Sequence, residues 1–194
     1  MKSRRLLIAS LALLGLLLGA CSPKEAAAPA AAAKREVSVE AIAAEAKGFT
    51  VGAMMGATTV YVFFDTQCPH CGHLWQSSAG LHKRVKFVWI PVGWINPSST
   101  SQGAALLSSA NPQALMTEHE ALLLAGKGGM AASASVPSEI EEAIKANTKL
   151  LNAYGAESVP FFVAKNQRTG QIVRHEGALE TAVLADFIGV DVTP

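Results

Sequence analysis

The chain has 194 residues, a formal net charge of +1 and 50% hydrophobic residues. That length fits one domain with a core of ordinary size, so neither disulfides nor metals are needed to replace a missing interior. With no clustered Lys/Arg surface after Arg35, the near-neutral charge excludes nucleic acid as a partner. The hydrophobic share is inflated by the amino terminus and by alanine-rich tracts, and does not imply an integral membrane protein.

Residues 1–5 are a short cationic segment and residues 6–18 an apolar run too short to span a bilayer comfortably, so residues 1–20 read as an export signal. The signal ends in Leu18-Gly19-Ala20-Cys21, which resembles the precursors of bacterial lipoproteins. That resemblance implies cleavage before Cys21 and lipid on its sulfur, and Ser22 after it implies the outer membrane. Buried acyl chains, at about 0.8 kcal/mol per CH2, would then hold the domain at a membrane surface. A plain secretory signal cut at the same place would leave Cys21 a spare thiol. With Cys21 lipidated, the odd count of three cysteines resolves into one pair, Cys68 and Cys71, in an oxidising compartment.

Residues 21–36 are Ala/Pro-rich with nothing to pack, and read as a tether to a domain over residues 37–194. Residues 39–47 have helical spacing and end at Gly48; residues 49–51 predict a short strand. The segment TTVYVFFD, from Thr58, is dense in β-branched and aromatic residues without polar alternation, as a strand buried on both faces requires. Pro69 suits a first helical turn, and residues 72–82 continue as a helix toward Lys83 and Arg84. Residues 85–92 are a second strand. Residues 96–111 and 112–125 are Ala/Leu-rich, residues 126–135 are a Gly/Ala/Ser stretch, and residues 137–154 are a helix opened by Ser138 with Glu139, Glu141 and Glu142 near its positive end. Together these make a helical insertion at about residues 97–154. Two more strands, 159–164 and 171–175, are joined by a turn holding Asn166 and Gly170, and residues 179–188 close the chain as a helix. This order specifies an α/β domain of three layers with a mixed sheet.

Between the first strand and its helix lies FFDTQCPHCGH. At a helix start, unpaired N–H groups and the helix dipole favour negative charge, so Cys68 is expected as a thiolate well below the ordinary thiol range. Cys71 lies one turn on and can attack a mixed disulfide at Cys68. An imidazole at His70 would stabilise the Cys68 thiolate and make the disulfide more oxidising, and Pro69-His70 therefore predicts an oxidising couple. Asp65 reads either as a buried proton acceptor for Cys71 or as an ordinary strand-ending aspartate. A zinc site needs four ligands, whereas Cys68, Cys71 and His73 supply three at most. A c-type haem needs histidine where Gly72 stands. A purely structural staple over so short a loop would stabilise little. No metal and no cofactor are expected.

The strand, the Cys-x-x-Cys at a helix start and the later ESVPFFV resemble the thioredoxin fold. The body from Thr58 onward is similar to the catalytic domain of the periplasmic disulfide isomerases DsbC and DsbG, more closely to DsbG, through VYVFFDTQCPHCGHLW, VKFVWIPVGWINPSSTSQGAALLSSANP and LLNAYGAESVPFFV. The resemblance implies a thioredoxin-like three-layer fold, a cis Pro160 beside the cysteines, and Val159 with Pro160 holding an extended substrate. The chain has no segment matching those isomerases' dimerisation domain, which implies a monomer. Val159 and Pro69-His70 look like the oxidase DsbA, which leaves the redox direction open.

The expected function is periplasmic, lipid-anchored disulfide interchange on exported proteins, with a DsbB-like or DsbD-like membrane partner. The alternative is a non-enzymatic lipoprotein using the same scaffold for binding or assembly. His82, His119 and His175 are read as surface or helix-end residues, and His73 as a helix-flank residue adding positive potential. Trp75, Trp89 and Trp94 are read as core or groove-lining residues, and Met54 and Met55 as a loop packed on the core.

Overall fold

The computed structural model describes residues 34–132 and 135–191. The export signal, Cys21 and most of the tether lie outside the described residues. Residues 34–36, read above as the tether's end, belong to the domain: the Arg35 N–H donates to the Ala153 carbonyl at 2.7 Å, and its guanidinium pairs with Glu45 and lies over the Tyr154 ring. Among the described residues no helix is long and apolar enough to cross a membrane.

Five strands form one mixed sheet in the order β1-β3-β2-β4-β5. β1 (Phe49–Gly52) pairs antiparallel with β3 (Val85–Pro91), which runs parallel to the central β2 (Thr58–Phe64). On its other side β2 pairs antiparallel with β4 (Phe161–Lys165), and β4 with β5 (Ile172–Glu176). The parallel pair explains the sequence of β2: its first residues alternate in burial, while its last three are wholly buried, as are the last three of β3. The carboxyl ends of the two strands therefore run into the densest part of the core, where open α/β sheets carry their sites. Edge-to-face contacts of Phe64 with Phe49 and Trp89, and of Trp75 with Trp89, knit the sheet to the helix after β2.

Six helices complete the domain: α1 (Val39–Glu45), α2 (Pro69–Ala79), α3 (Pro97–Ser108), α4 (Pro112–Leu124), α5 (Ser138–Ala153) and α6 (Thr181–Ile188). α3 and α4 start alike, with proline in the first turn and an asparagine cap: Asn96 accepts from the Ser98 N–H at 2.8 Å, Asn111 from the Ala114 N–H at 3.2 Å. α5 differs from its expected start. Pro137, not Ser138, occupies the cap position, and no side chain bonds there. α2 ends at Ala79, short of the basic pair, because turns at residues 80–84 lead directly into β3.

Three further expectations are corrected. Met54 and Met55 are 64% and 97% exposed, because they occupy the turn between β1 and β2 outside the sheet. His82 is half-buried against Trp75 and Phe87, and His175 lies between Phe162 and Phe187. His119, expected at the surface, is fully buried.

α5 is pinned to the sheet by the fully buried Asn147. Its amide nitrogen donates to the carbonyls of Lys47 and Pro91 at 2.8 and 2.9 Å, and its oxygen accepts the Lys47 N–H at 2.9 Å. Asn147→Leu keeps the branched shape but removes all three hydrogen bonds, leaving the buried Pro91 carbonyl without this donor. The expected outcome is a loss of about 3 kcal/mol of unfolding free energy, read as a lower urea midpoint.

Candidate active site

β2 ends at Phe64, and the next four residues turn the chain into α2. The turn is built on Asp65, whose side chain is fully buried. One carboxylate oxygen accepts from the Gln67 N–H at 2.9 Å and the Ser99 hydroxyl at 2.7 Å; the other accepts from the N–H groups of Trp94 and Ile95 at 2.7 and 2.9 Å. Its carbonyl accepts the Cys68 N–H at 3.0 Å. Asp65 thus fastens the loops after β2 and β3 to the start of α3. Its charge opposes the Cys68 thiolate and raises that thiol's pKa, as the last of several influences. Four donors already occupy its two oxygens, and none of them is Cys71.

Cys68 is the cap residue of α2, and Pro69 the first helical residue. The Cys68 side chain makes no capping bond; its thiol lies 3.3 Å from the carbonyl of Val159, to which it donates when protonated. The Val159–Pro160 peptide is cis. Both residues are buried, at the mouth of β4 directly facing the cysteine.

The two sulfurs are both unbonded to each other and unequal. Cys68 retains 5% exposure and Cys71 none. The Cys68 thiol is lowered from 9.0 to about 7, first by the hydrogen bond from the Cys71 thiol and then, against the cost of burial, by the N–H groups of Cys71 and His70. The Cys71 thiol is pushed well above 9.0 by burial, then by the sulfur of Cys68. The first sulfur is therefore the more readily ionised of the two, and the second holds its proton. His70 contributes through its backbone; its ring is exposed, 6.2 Å from the His73 ring.

The helical insertion supplies residues that sequence reasoning missed. Gln67, just before Cys68, donates to the Gln102 side chain at 2.6 Å and the Gly128 carbonyl at 2.9 Å, and accepts from Asn96 at 3.1 Å. The buried His119 bridges in the same place: Nε2 lies 2.7 Å from the Thr66 carbonyl, and Nδ1 accepts the Met130 N–H at 3.1 Å. This pairing fixes Nε2–H as the donor and the ring as neutral, as burial also favours. Gly129, with φ +81°, lets the loop lie flat on that ring, where a Cβ would come within 2.3 Å of it.

Glu120, the next residue of α4, is 1% exposed with no hydrogen-bond partner on either oxygen. Burial, then the charge of Cys68, raises it from 4.5 to about 9. Its carboxyl rests against Gly72, where a Cβ would come within 2.5 Å of Oε2. The signal was present: Met116, Glu120 and Leu124 share one helical face, and a carboxylate in an apolar stripe is costly unless used. Among the described residues no group of three or more His, Cys, Asp or Glu could hold a metal ion.

A dithiol carried at this point of this sheet is that of a thioredoxin-like protein. The catalytic domain of Proteus mirabilis ScsC superposes with a TM-score of 0.60 at 19% identity, over 77% of this chain and 95% of that one. Among curated proteins the chain is similar to the thiol:disulfide interchange protein DsbG of Pseudomonas aeruginosa, 31% identical over 136 residues, or 67% of this chain and 50% of that protein. It is likewise 31% identical to DsbG of Escherichia coli over 118 residues, or 59% of this chain and 47% of that protein. No protein-family model matches. The chain thus has the thioredoxin fold and is similar to DsbG, and it spans about half the length of the curated relatives it matches.

Asp65→Asn tests the turn. It removes a charge that opposes the Cys68 thiolate, but presents an amide to backbone donors. The expected outcome is a Cys68 that titrates at lower pH in a protein destabilised by about 2 kcal/mol or more, read by alkylation against pH and by thermal melting.

Proposed function

We propose that the chain is a periplasmic thiol:disulfide oxidoreductase, anchored by lipid on Cys21, that exchanges disulfides with exported proteins and is recharged by a DsbB-like or DsbD-like membrane protein. The observation that carries the exchange chemistry is the unequal pair: Cys68 lowered to about 7 beside a Cys71 that keeps its proton. In reduction, the Cys68 thiolate attacks a substrate disulfide, forms a mixed disulfide and releases one substrate thiolate. Cys71 then gives up its proton and attacks the Cys68 sulfur, so that the second substrate sulfur leaves and the two electrons pass to the substrate. In oxidation the same steps run backwards. An extended substrate would lie along Val159 and Pro160, its sulfur directed at Cys68 across the 3.3 Å gap that the Val159 carbonyl now spans. The anchor and its outer-membrane placement rest on the sequence around Cys21 alone.

The acidity of Cys68 supports one direction over the other. A Cys68 at about 7 matches the thioredoxin nucleophile, near 7, rather than that of DsbA, near 3.5. The thiolate is thus stabilised less than Pro69-His70 suggests, and the couple favours shuffling over net oxidation. Equilibration with glutathione is expected to give a potential closer to the about −180 mV of protein disulfide isomerase than to the about −120 mV of DsbA. A value at the DsbA end would overturn the isomerase direction. Cys68→Ser is expected to abolish exchange, and Cys71→Ser to trap substrates as mixed disulfides on Cys68. Full turnover by Cys68→Ser would instead favour a binding module.

A further inference from the structure

We infer that Glu120 of α4 is the proton acceptor that frees Cys71 to attack the mixed disulfide, and that the cleft between α2 and α4 is its route to solvent. The inference deepens the exchange reading above and rests on it.

The geometry is specific. Both Glu120 oxygens are buried without partners, a costly state that packing alone does not explain. The carboxyl lies against the bare Cα of Gly72, the residue after Cys71, in the first turn of α2. Glu120 also lines a cleft of about 350 Å³, together with Trp75 and Ala79 of α2, His82, and Gln113, Thr117 and Ala121. Glu120 therefore lies close enough to the dithiol to be felt by both sulfurs and at the same time lines a groove of mixed polar and apolar residues. Asp65 is the competing acid, and its oxygens are committed to four donors.

The surrounding charges give the order of events. From α2, Glu120 is faced by Cys68 and Cys71, and across the cleft by His82, whose burial disfavours its cationic form. α3 carries no titratable residue, and on α4 itself the neighbouring His119 is held neutral. In the reduced protein the Cys68 thiolate helps to keep Glu120 protonated. Once Cys68 is bonded to a substrate sulfur, that negative charge is gone, and the Glu120 proton leaves more readily by the cleft, against the cost of burial that remains. The carboxylate then takes the Cys71 proton as Cys71 attacks. The bond from Cys68 to Cys71 forms, the bond from Cys68 to the substrate sulfur breaks, and the substrate leaves as a thiolate. The proton that Glu120 releases to the cleft is replaced by the one it takes from Cys71, the departing substrate thiolate carries the negative charge away, and the substrate disulfide supplies the only oxidant.

The test uses the reduced protein with Cys68 converted to its glutathione mixed disulfide, and follows glutathione release from about pH 6 to about pH 10. Wild type should release glutathione at neutral pH. Glu120→Gln should form the same adduct but release glutathione about tenfold to 100-fold more slowly near neutrality, with the deficit closing in alkali as hydroxide takes over. Glu120→Asp should restore part of the neutral rate. Gly72→Ala, whose methyl displaces the carboxyl, should slow release with the same pH dependence and provides the reading if Glu120→Gln does not fold. A deficit equal at every pH, or none, would overturn the assignment of Glu120. A wild type that forms no adduct, or never releases it, would instead defeat the exchange function itself.

Discussion

Everything distinctive about this chain depends on one proton placed between two sulfurs in unequal surroundings. Cys68 sits at the mouth of α2 with a sliver of exposure, and Cys71 one turn inside with none. Burial alone would raise both thiols. The hydrogen bond from Cys71 to Cys68 reverses that for the outer sulfur and reinforces it for the inner one. A pair in matched surroundings would have neither a ready nucleophile nor a protected resolving thiol.

The fold exists around this asymmetry in a definite way. The parallel pair β2 and β3 delivers two buried carboxyl ends to the same place, and Asp65 ties the loops that leave them. The insertion then closes the far side: Gln67, Gln102 and His119 join its helices and the loop at Gly128 and Met130 to the turn that carries Cys68. This is a polar mortar, each group with a partner, around a dithiol whose own neighbours are largely apolar. Glu120 breaks that pattern with both carboxyl oxygens, which is why its position against Gly72 has chemical meaning.

Much of this was legible in the sequence, for reasons that are local. Val60, Val62, Phe63 and Phe64 announce a buried strand because β-branched and aromatic residues without alternation fit little else, and Pro69 marks a helix start because its missing N–H costs nothing there. What was not legible depends on contacts distant in the chain. His119 is 53 residues from the Thr66 carbonyl it meets, and nothing in its neighbours distinguishes it from a surface histidine. Asp65 could be read either as a proton acceptor or as a strand-ending aspartate, because three of its four donors come from residues 94, 95 and 99, which only the folded sheet brings to it. His70 looked like the thiolate's partner because it is adjacent, whereas the nearer donors are the Cys71 thiol and the helix's own N–H groups.

The most direct test is a separate titration of the two thiols in the reduced protein, by alkylation at graded pH with each cysteine identified by mass. The account predicts that Cys68 reacts with a midpoint at about 7 while Cys71 stays protected throughout that range. Two thiols titrating together near the ordinary value of about 8.5 would contradict it.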